Sequence, residues 1–379
     1  MNASKPAVCR LTLRLKLHTD DATKAALLDT LRQSTACVNA VCRYGWDNRE
    51  RNGTRLHHAT YKTLRADYPS LPSQLVVSAR RKATEALKST EERRKQGKAV
   101  SCPQSTLCPI RYDARSYWVK LSEGVASLAT SAGRVGVSFR LCQHYQRYAE
   151  CLTASADLCY DRKTDCFFLH VVIEVETPEL VADGVLGVDL GIVELATDSH
   201  GNAYSGEAVK SVRRKYRRIR SLLQSKGTRS AKRHLKRIRQ KVSRFTRDTN
   251  YKISKALVHT ASLERKALAL EDLTGIRDRA ETVSRQMRWL LGGWSFYQLR
   301  QFLSYKAQAA GVPVFLVDPR NTSRTCSACG YCDKANRKSQ ASFECLQCGF
   351  CENADRNAAR NIEARASLSE RLLCQPCPA

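Results

Sequence analysis

From Cys9 to Leu17 apolar residues alternate with polar or basic ones, so that Leu11, Leu13, Leu15 and Leu17 share one face of a strand. The period then changes. Asp20 or Asp21 reads as an N-cap, and Ala22 to about Glu50 carries the 3.6-residue spacing of an amphipathic helix. A polar stretch from Arg51 to Ala59 reads as a loop, Tyr61–Asp67 as a short helix stopped by Pro69, and Pro72 to Arg94 as a third helix with Leu75, Val76, Ala79, Ala83 and Leu87 on one side. Between Cys108 and Glu176 the period falls to two. The pieces I-R-Y-D, Y-W-V-K-L, R-V-G-V-S-F and C-F-F-L-H-V-V-I-E-V predict strands joined by Gly, Asp-Arg and Lys-Thr turns. A small β-barrel or sandwich is expected, recruiting the opening strand, with the helical block inserted between.

A second unit begins at Val185. V-L-G-V-D-L-G-I predicts a buried strand, and V-E-L-A-T-D-S-H-G-N carries it into a hairpin. Two basic helices are predicted around Gly227. Their apolar stripes are Val212, Ile219, Leu222 and Leu223, then Leu235, Ile238, Val242 and Phe245. Another helix over Asn250–Leu263, a short strand ending at Glu271 and Asp272, a helix over Trp294–Ala310 and a strand in V-P-V-F-L-V complete an α/β layout around a mixed sheet.

Composition narrows the partners. The chain has 379 residues, enough for two or three domains, and is 42% hydrophobic. Its 64 Lys and Arg stand against 36 Asp and Glu, a net charge of +28 that favours a polyanion, nucleic acid first. No apolar run approaches the roughly 20 residues of a membrane span, and no signal peptide is visible at the start. Seventeen scattered cysteines, an odd number, fit a reducing cytoplasm better than a disulfide framework. Lys210 to Arg247 holds seventeen Lys or Arg and no acid. Unopposed cations on two helices repel one another, which makes a phosphate backbone the expected ligand of Arg213, Arg214, Lys215, Arg217, Arg218, Arg220, Lys232, Arg233, Lys236, Arg237 and Arg239. Such contacts position nucleic acid without reading its sequence.

Two patterns carry chemistry. Cys326/Cys329 and Cys345/Cys348 are Cys-x-x-Cys-Gly knuckles separated by fifteen residues, each turn permitted by Gly330 or Gly349. Four sulfurs at this spacing are expected to hold a structural zinc; buried free thiols are the alternative. Cys332 and Cys351 repeat at the same interval and compete for the same places, and Cys374 and Cys377 form a third Cys-x-x-Cys without a partner pair. The second pattern is dispersed. Asp189 interrupts an apolar strand, Glu271 ends another, and Asp355 opens the last helix, seven residues after Cys348. An unpaired carboxylate in a buried strand is costly, so Asp189 either meets a cation or faces a turn. Brought together, the three acids would hold magnesium or manganese, and two such ions can assist phosphodiester cleavage.

G-V-D-L-G-I, L-E-D-L-T-G-I, T-S-R-T-C-S-A-C-G with F-E-C-L-Q-C-G, and N-A-D-R-N-A-A-R-N-I together resemble the RuvC-like nuclease and zinc-ribbon half of TnpB, the RNA-guided endonuclease of insertion sequences, across roughly residues 185–366. The resemblance implies an α+β multidomain fold. Residues 1–19 and 100–180 would form a β-barrel wedge and 20–99 an inserted helical recognition block. Residues 181–319 and 352–366 would form a RuvC-like (RNase H-like) nuclease with a basic helical hairpin at 207–247, and 320–351 an inserted zinc ribbon before a tail at 367–379. It also implies Asp189, Glu271 and Asp355 as catalytic ligands of Mg2+ or Mn2+, a guide RNA from the transposon end, double-stranded target DNA beside a short flanking motif, and one copy of the chain per ribonucleoprotein. A compact CRISPR effector, an end-binding transposase and a non-cleaving guided repressor are the alternatives.

Overall fold

The computed structural model describes residues 8–178, 180–275 and 284–373. The chain divides into two compact units, Arg10–Val175 and the residues from Glu176 onward.

The first unit holds β1 (Val8–His18), α1 (Asp21–Asp47), α2 (Gly53–Asp67), α3 (Ser73–Lys95), β2 (Ile110–Tyr112), β3 (Tyr117–Lys120), β4 (Val125–Thr130), β5 (Gly133–Phe139), α4 (Gln143–Gln146), β6 (Leu152–Asp161) and β7 (Cys166–Glu176). Its seven strands run in the order β2-β6-β7-β1-β5-β4-β3. The edge strands β2 and β3 are joined by a tight turn at Asp113, and the Tyr112 hydroxyl donates to the Ala129 carbonyl of β4 at 2.9 Å, so the sheet is nearly closed. The opening alternation buries Leu13, Leu15 and Leu17 in one core with Leu27 and Leu31 of α1, Leu75 and Val76 of α3, and Leu169 and Val171 of β7. Asp20 caps α1 by accepting from the Thr23 amide at 2.7 Å. The expected loop at 51–59 is instead the start of α2. Asn52 accepts from the Thr54 and Arg55 amides, which supplies the cap that lets helix begin at Gly53.

The second unit holds β8 (Gly184–Asp189), β9 (Glu194–Asp198), β10 (Ala203–Ser205), α5 (Glu207–Lys226), α6 (Arg229–Ile238), α7 (Lys241–Leu263), β11 (Lys266–Glu271), α8 (Arg285–Gly293), α9 (Phe296–Ala309), β12 (Val314–Val317), β13 (Ser342–Glu344), β14 (Cys351–Asn353) and α10 (Ala354–Leu373). Five strands form a mixed sheet, β10-β9-β8-β11-β12, with β8, β11 and β12 parallel and β9 antiparallel to β8 and β10. On one face Leu186, Val188, Leu268 and Leu270 pack with Leu257 of α7 and Leu303 of α9. On the other, Val185, Ala267 and Ala269 pack with Ile362 and Ala366 of α10. Burial on both faces explains why β8 and β11 read as nearly continuous apolar runs. Gly187 is the closest approach between sheet and helix: a Cβ there would collide with the Ala359 carbonyl and stand 2.6 Å from the Glu363 amide.

The second basic helix is shorter than its pattern. It stops at Ile238, and Val242 and Phe245 belong to α7, which also contains the expected Asn250–Leu263 helix. At the break the Arg239 carbonyl is taken by the Arg220 guanidinium of α5 at 3.0 Å. Among the described residues no helix is long and apolar enough to cross a membrane.

Candidate active site

The two knuckles converge. All four sulfurs of Cys326, Cys329, Cys345 and Cys348 lie within 4.8 Å of one another, with Cys326 3.8 Å from Cys348 and Cys329 3.6 Å from Cys345. Sulfurs about 2.3 Å from a tetrahedral zinc stand roughly 3.8 Å apart, so the donor set fits that ion and leaves it no open position. Gly330 and Gly349 turn each knuckle at φ of 79° and 72°, and their amides donate to Cys326 and Cys345 carbonyls at 2.9 Å. Against the burial that would raise it, amides of Cys348 and Gln347 hold the Cys345 thiol down at about 7. Cys332 and Cys351 are exposed and outside the cluster. Cys374 and Cys377 lie outside the described residues.

The ribbon is fastened to α10 by asparagines. Asn357 accepts from Ser327 N at 2.9 Å and donates to Thr325 O at 2.8 Å; Asn361 donates to the carbonyls of Thr322 and Thr325 at 2.8 and 2.7 Å. Within the ribbon, fully buried Asn336 donates to Arg324 O and Tyr331 O and accepts from Leu346 N. These bonds fix Arg337, the next residue, relative to the start of α10.

There the carboxylates gather. Asp189 and Glu271 end the parallel strands β8 and β11, at the carboxyl edge where α/β sheets place their ligands. Asp355 stands in the first turn of α10, whose amides suit a negative charge; Asn353 caps the helix. Glu271 and Asp355 are buried and Asp189 is half-buried. Burial, then the charges of Glu271 and Asp355, push Asp189 well above the usual carboxylate range. Burial also raises Glu271 and Asp355. The three acids therefore interact, but among the described residues only the cysteines bring three or more ligand atoms within 4.8 Å.

Two cations oppose them: Arg365 acts on Glu271, and Arg337 acts on all three. Arg337 donates to Asp355 Oδ1 at 3.2 Å, and its charge lowers all three acids against the burial that raises them. The same guanidinium donates to the Ser339 and Gln340 carbonyls. Buried Thr322 donates to Glu271 Oε1 and fixes that side chain. Glu194, raised by burial and by Asp355, adds a fourth acid nearby. Neither Arg337 nor Thr322 was distinguishable by local pattern from the other polar residues of its loop. Crowded carboxylates that outnumber the guanidinia beside them are a donor set suited to hard divalent cations.

The basic helices divide by environment. Arg213 lies over the Trp289 ring at 4.4 Å and donates to the Trp289 carbonyl at 2.9 Å, and Arg220 spans to α6, so both tie helices together. Arg214 reaches Glu207 at 3.8 Å. Lys215, Arg217, Arg218, Lys232, Arg233, Lys236, Arg237 and Arg239 are exposed.

Comparison with known proteins bears on the fold and on two segments of the chain. The fold is similar to that of Cas12f1: a cryo-EM structure of a Cas12f1-sgRNA-target DNA complex superposes with a TM-score of 0.66 over 91% of this chain and 83% of that chain, at 14% identity. Residues 169–274 match the family described as "Probable transposase" (OrfB of IS605), and residues 296–362 match the "Cas12f1-like, TNB domain". The chain is thus similar, over these segments, to TnpB-like and Cas12f1 proteins. It is 33% identical to Cas12f1 of Sulfoacidibacillus thermotolerans over 64% of this chain, and 32% identical to InsQ of Escherichia coli K12 over 50%. The matches span 59% and 51% of those two relatives.

Proposed function

We propose that the protein is an RNA-guided DNA endonuclease whose active site is Asp189, Glu271 and Asp355. The observation that carries the reading is the convergence of these three acids, 166 residues apart in sequence, at one sheet edge beside Arg337. Relatives support the substrate: Cas12f1 is named an endodeoxyribonuclease, InsQ an RNA-guided DNA endonuclease, and the Cas12f1 structure is a complex with guide RNA and target DNA. In such systems base pairing reads the sequence, and the protein reads a short flanking motif and duplex shape.

The carboxylates would hold magnesium or manganese, which when bound supplies the charge that activates a water and steadies the leaving oxygen. Thr322 keeps one Glu271 oxygen engaged and so fixes the direction of the other. Arg337 is placed to take the charge of a scissile phosphate while balancing Asp355. The cysteine centre, with four sulfurs and no free position, would hold zinc that keeps Arg337 and Asp355 in register rather than reacting. Exposed cations of α5 and α6 would grip the phosphates of the guide or heteroduplex. On this reading the second unit is a RuvC-like nuclease with an inserted zinc ribbon at 320–351. The nearly closed sheet of the first unit is the wedge, and its helices over 20–99 are the recognition block.

The test is to purify the protein from cells expressing its native locus and sequence the RNA that accompanies it. A single abundant RNA ending in a variable guide is expected; absent or heterogeneous RNA would shift the reading to an end-binding transposase. The match to Cas12f1 favours one variant, a CRISPR effector, and a guide from a repeat array rather than from a transposon end would identify it.

A further inference from the structure

Two of the three acids are held by a side-chain donor. Thr322 donates to Glu271 Oε1, and Arg337 donates to Asp355 Oδ1 at 3.2 Å. Asp189 accepts from the Leu190 amide, and among the described residues no side chain donates to it. A hydroxyl stands opposite. β9 runs antiparallel to β8 with Thr197 directly across from Asp189, and the pairing continues to Ser199, whose amide donates to the Gly187 carbonyl at 2.9 Å. Directly opposed residues share a sheet face, with Cβ atoms about 4.5–5.5 Å apart. That face is the one covered by α10, because Val185 and Gly187, which share a face with Asp189, lie against Ile362 and Ala359 of that helix. Thr197 is 3% exposed, and its hydroxyl is buried with no hydrogen-bond partner among the described residues. Its other lateral neighbour, Ala203 of β10, offers only a methyl group. Valine would serve the strand equally well, so a buried, unpartnered hydroxyl here calls for a reason.

We propose that Thr197 is a positioning residue for Asp189. Its hydroxyl donates to one oxygen of that carboxylate and leaves the other directed at the metal, as Thr322 does for Glu271. At the separation of an opposed pair, rotation about the first side-chain bond of either residue brings the two groups within hydrogen-bond reach. Outer partners of this kind orient a ligand and contribute to metal affinity. The role rests on the endonuclease reading, in which Asp189 holds magnesium or manganese.

The measurement is manganese binding by the full chain, read from the electron paramagnetic resonance signal of the free ion, in buffer without magnesium or chelator. Manganese prefers oxygen donors, so the cysteine centre does not compete for it. Thr197→Val keeps the shape and removes the hydroxyl. It is expected to weaken manganese binding about tenfold, the effect of losing such a partner. Its melting temperature without metal stays at or above that of the parent, because a methyl group replaces an unpartnered hydroxyl. Thr197→Ser restores the affinity to within twofold. Ser199→Ala removes the neighbouring buried, unpartnered hydroxyl, two residues along the strand from Thr197, and leaves the affinity within twofold. Unchanged binding by Thr197→Val, or an equal loss in Ser199→Ala, would overturn the proposal, as would a loss that accompanies a lowered melting temperature. Asp189→Ala separates this proposal from the reading beneath it. If that variant loses manganese while Thr197→Val does not, the proposal alone fails; if it retains the ion, the acids are not the metal site and both fail.

Discussion

Replacing Arg337 by Gln removes the cation whose charge acts on all three acids. Its Nη2 lies 3.2 Å from Asp355 Oδ1, and at an effective dielectric near 20 two unit charges at that distance attract by about 5 kcal/mol. Desolvation offsets part of this, and truncating one partner of a buried pair costs about 3–5 kcal/mol. With side chains 26% and 9% exposed, the pair falls at the lower end, and a loss of about 3 kcal/mol is expected. The same substitution in an Asp355→Asn background should cost only about 1 kcal/mol, leaving a coupling of about 2 kcal/mol. The cycle is measured by urea denaturation in magnesium-free buffer. A chelator is avoided because it would strip the cysteine centre as well. Equal costs in the two backgrounds, a coupling below about 0.5 kcal/mol, would refute the view that Arg337 counterbalances the acids.

Three further outcomes are expected. Asp189→Asn abolishes cleavage yet raises the melting temperature in magnesium-free buffer. The native acid is held above its unfolded value, so it costs stability as pH rises from about 4 toward neutrality, and the variant's melting temperature should vary less over that range. Cys345→Ser loses the bound zinc, counted by native mass spectrometry, and lowers the melting temperature of the second unit, whereas Cys332→Ser and Cys351→Ser keep one zinc per chain. Arg213→Ala destabilises the fold by about 1–2 kcal/mol through loss of its packing on Trp289, while Lys232→Ala leaves the melting curve unchanged and lowers the salt dependence of RNA binding.

The chemistry-bearing residues were the most legible part of the sequence. A carboxylate at the end of an apolar strand, as at Asp189 and Glu271, contradicts its surroundings, and two Cys-x-x-Cys knuckles have a spacing that few other purposes require. The strands of the first unit were visible because alternate residues face one core. Arg337 was not legible: it lies in a polar span among other cations, and only asparagine bonds across the ribbon and α10 bring it to Asp355. The end of α6 at Ile238 was hidden for a similar reason, since Arg220 reaches it from another helix. The start of α2 lay within the polar stretch from Arg51 to Ala59, where the cap shows only as Asn52 accepting from the Thr54 and Arg55 amides. Arg213 looked like every other cation of its run, and its contact with Trp289 joins segments far apart in sequence.

The central claim is tested most directly by cleavage. The ribonucleoprotein is loaded with a guide of chosen sequence and mixed, with magnesium, with a library of plasmids that carry the matching target beside randomised flanking DNA. The account predicts cutting only of matched targets beside one short flanking motif, none with an unmatched guide, and none by the Asp189→Ala protein, which still binds the matched DNA. Cutting that is independent of the guide, or that persists in Asp189→Ala, would contradict it.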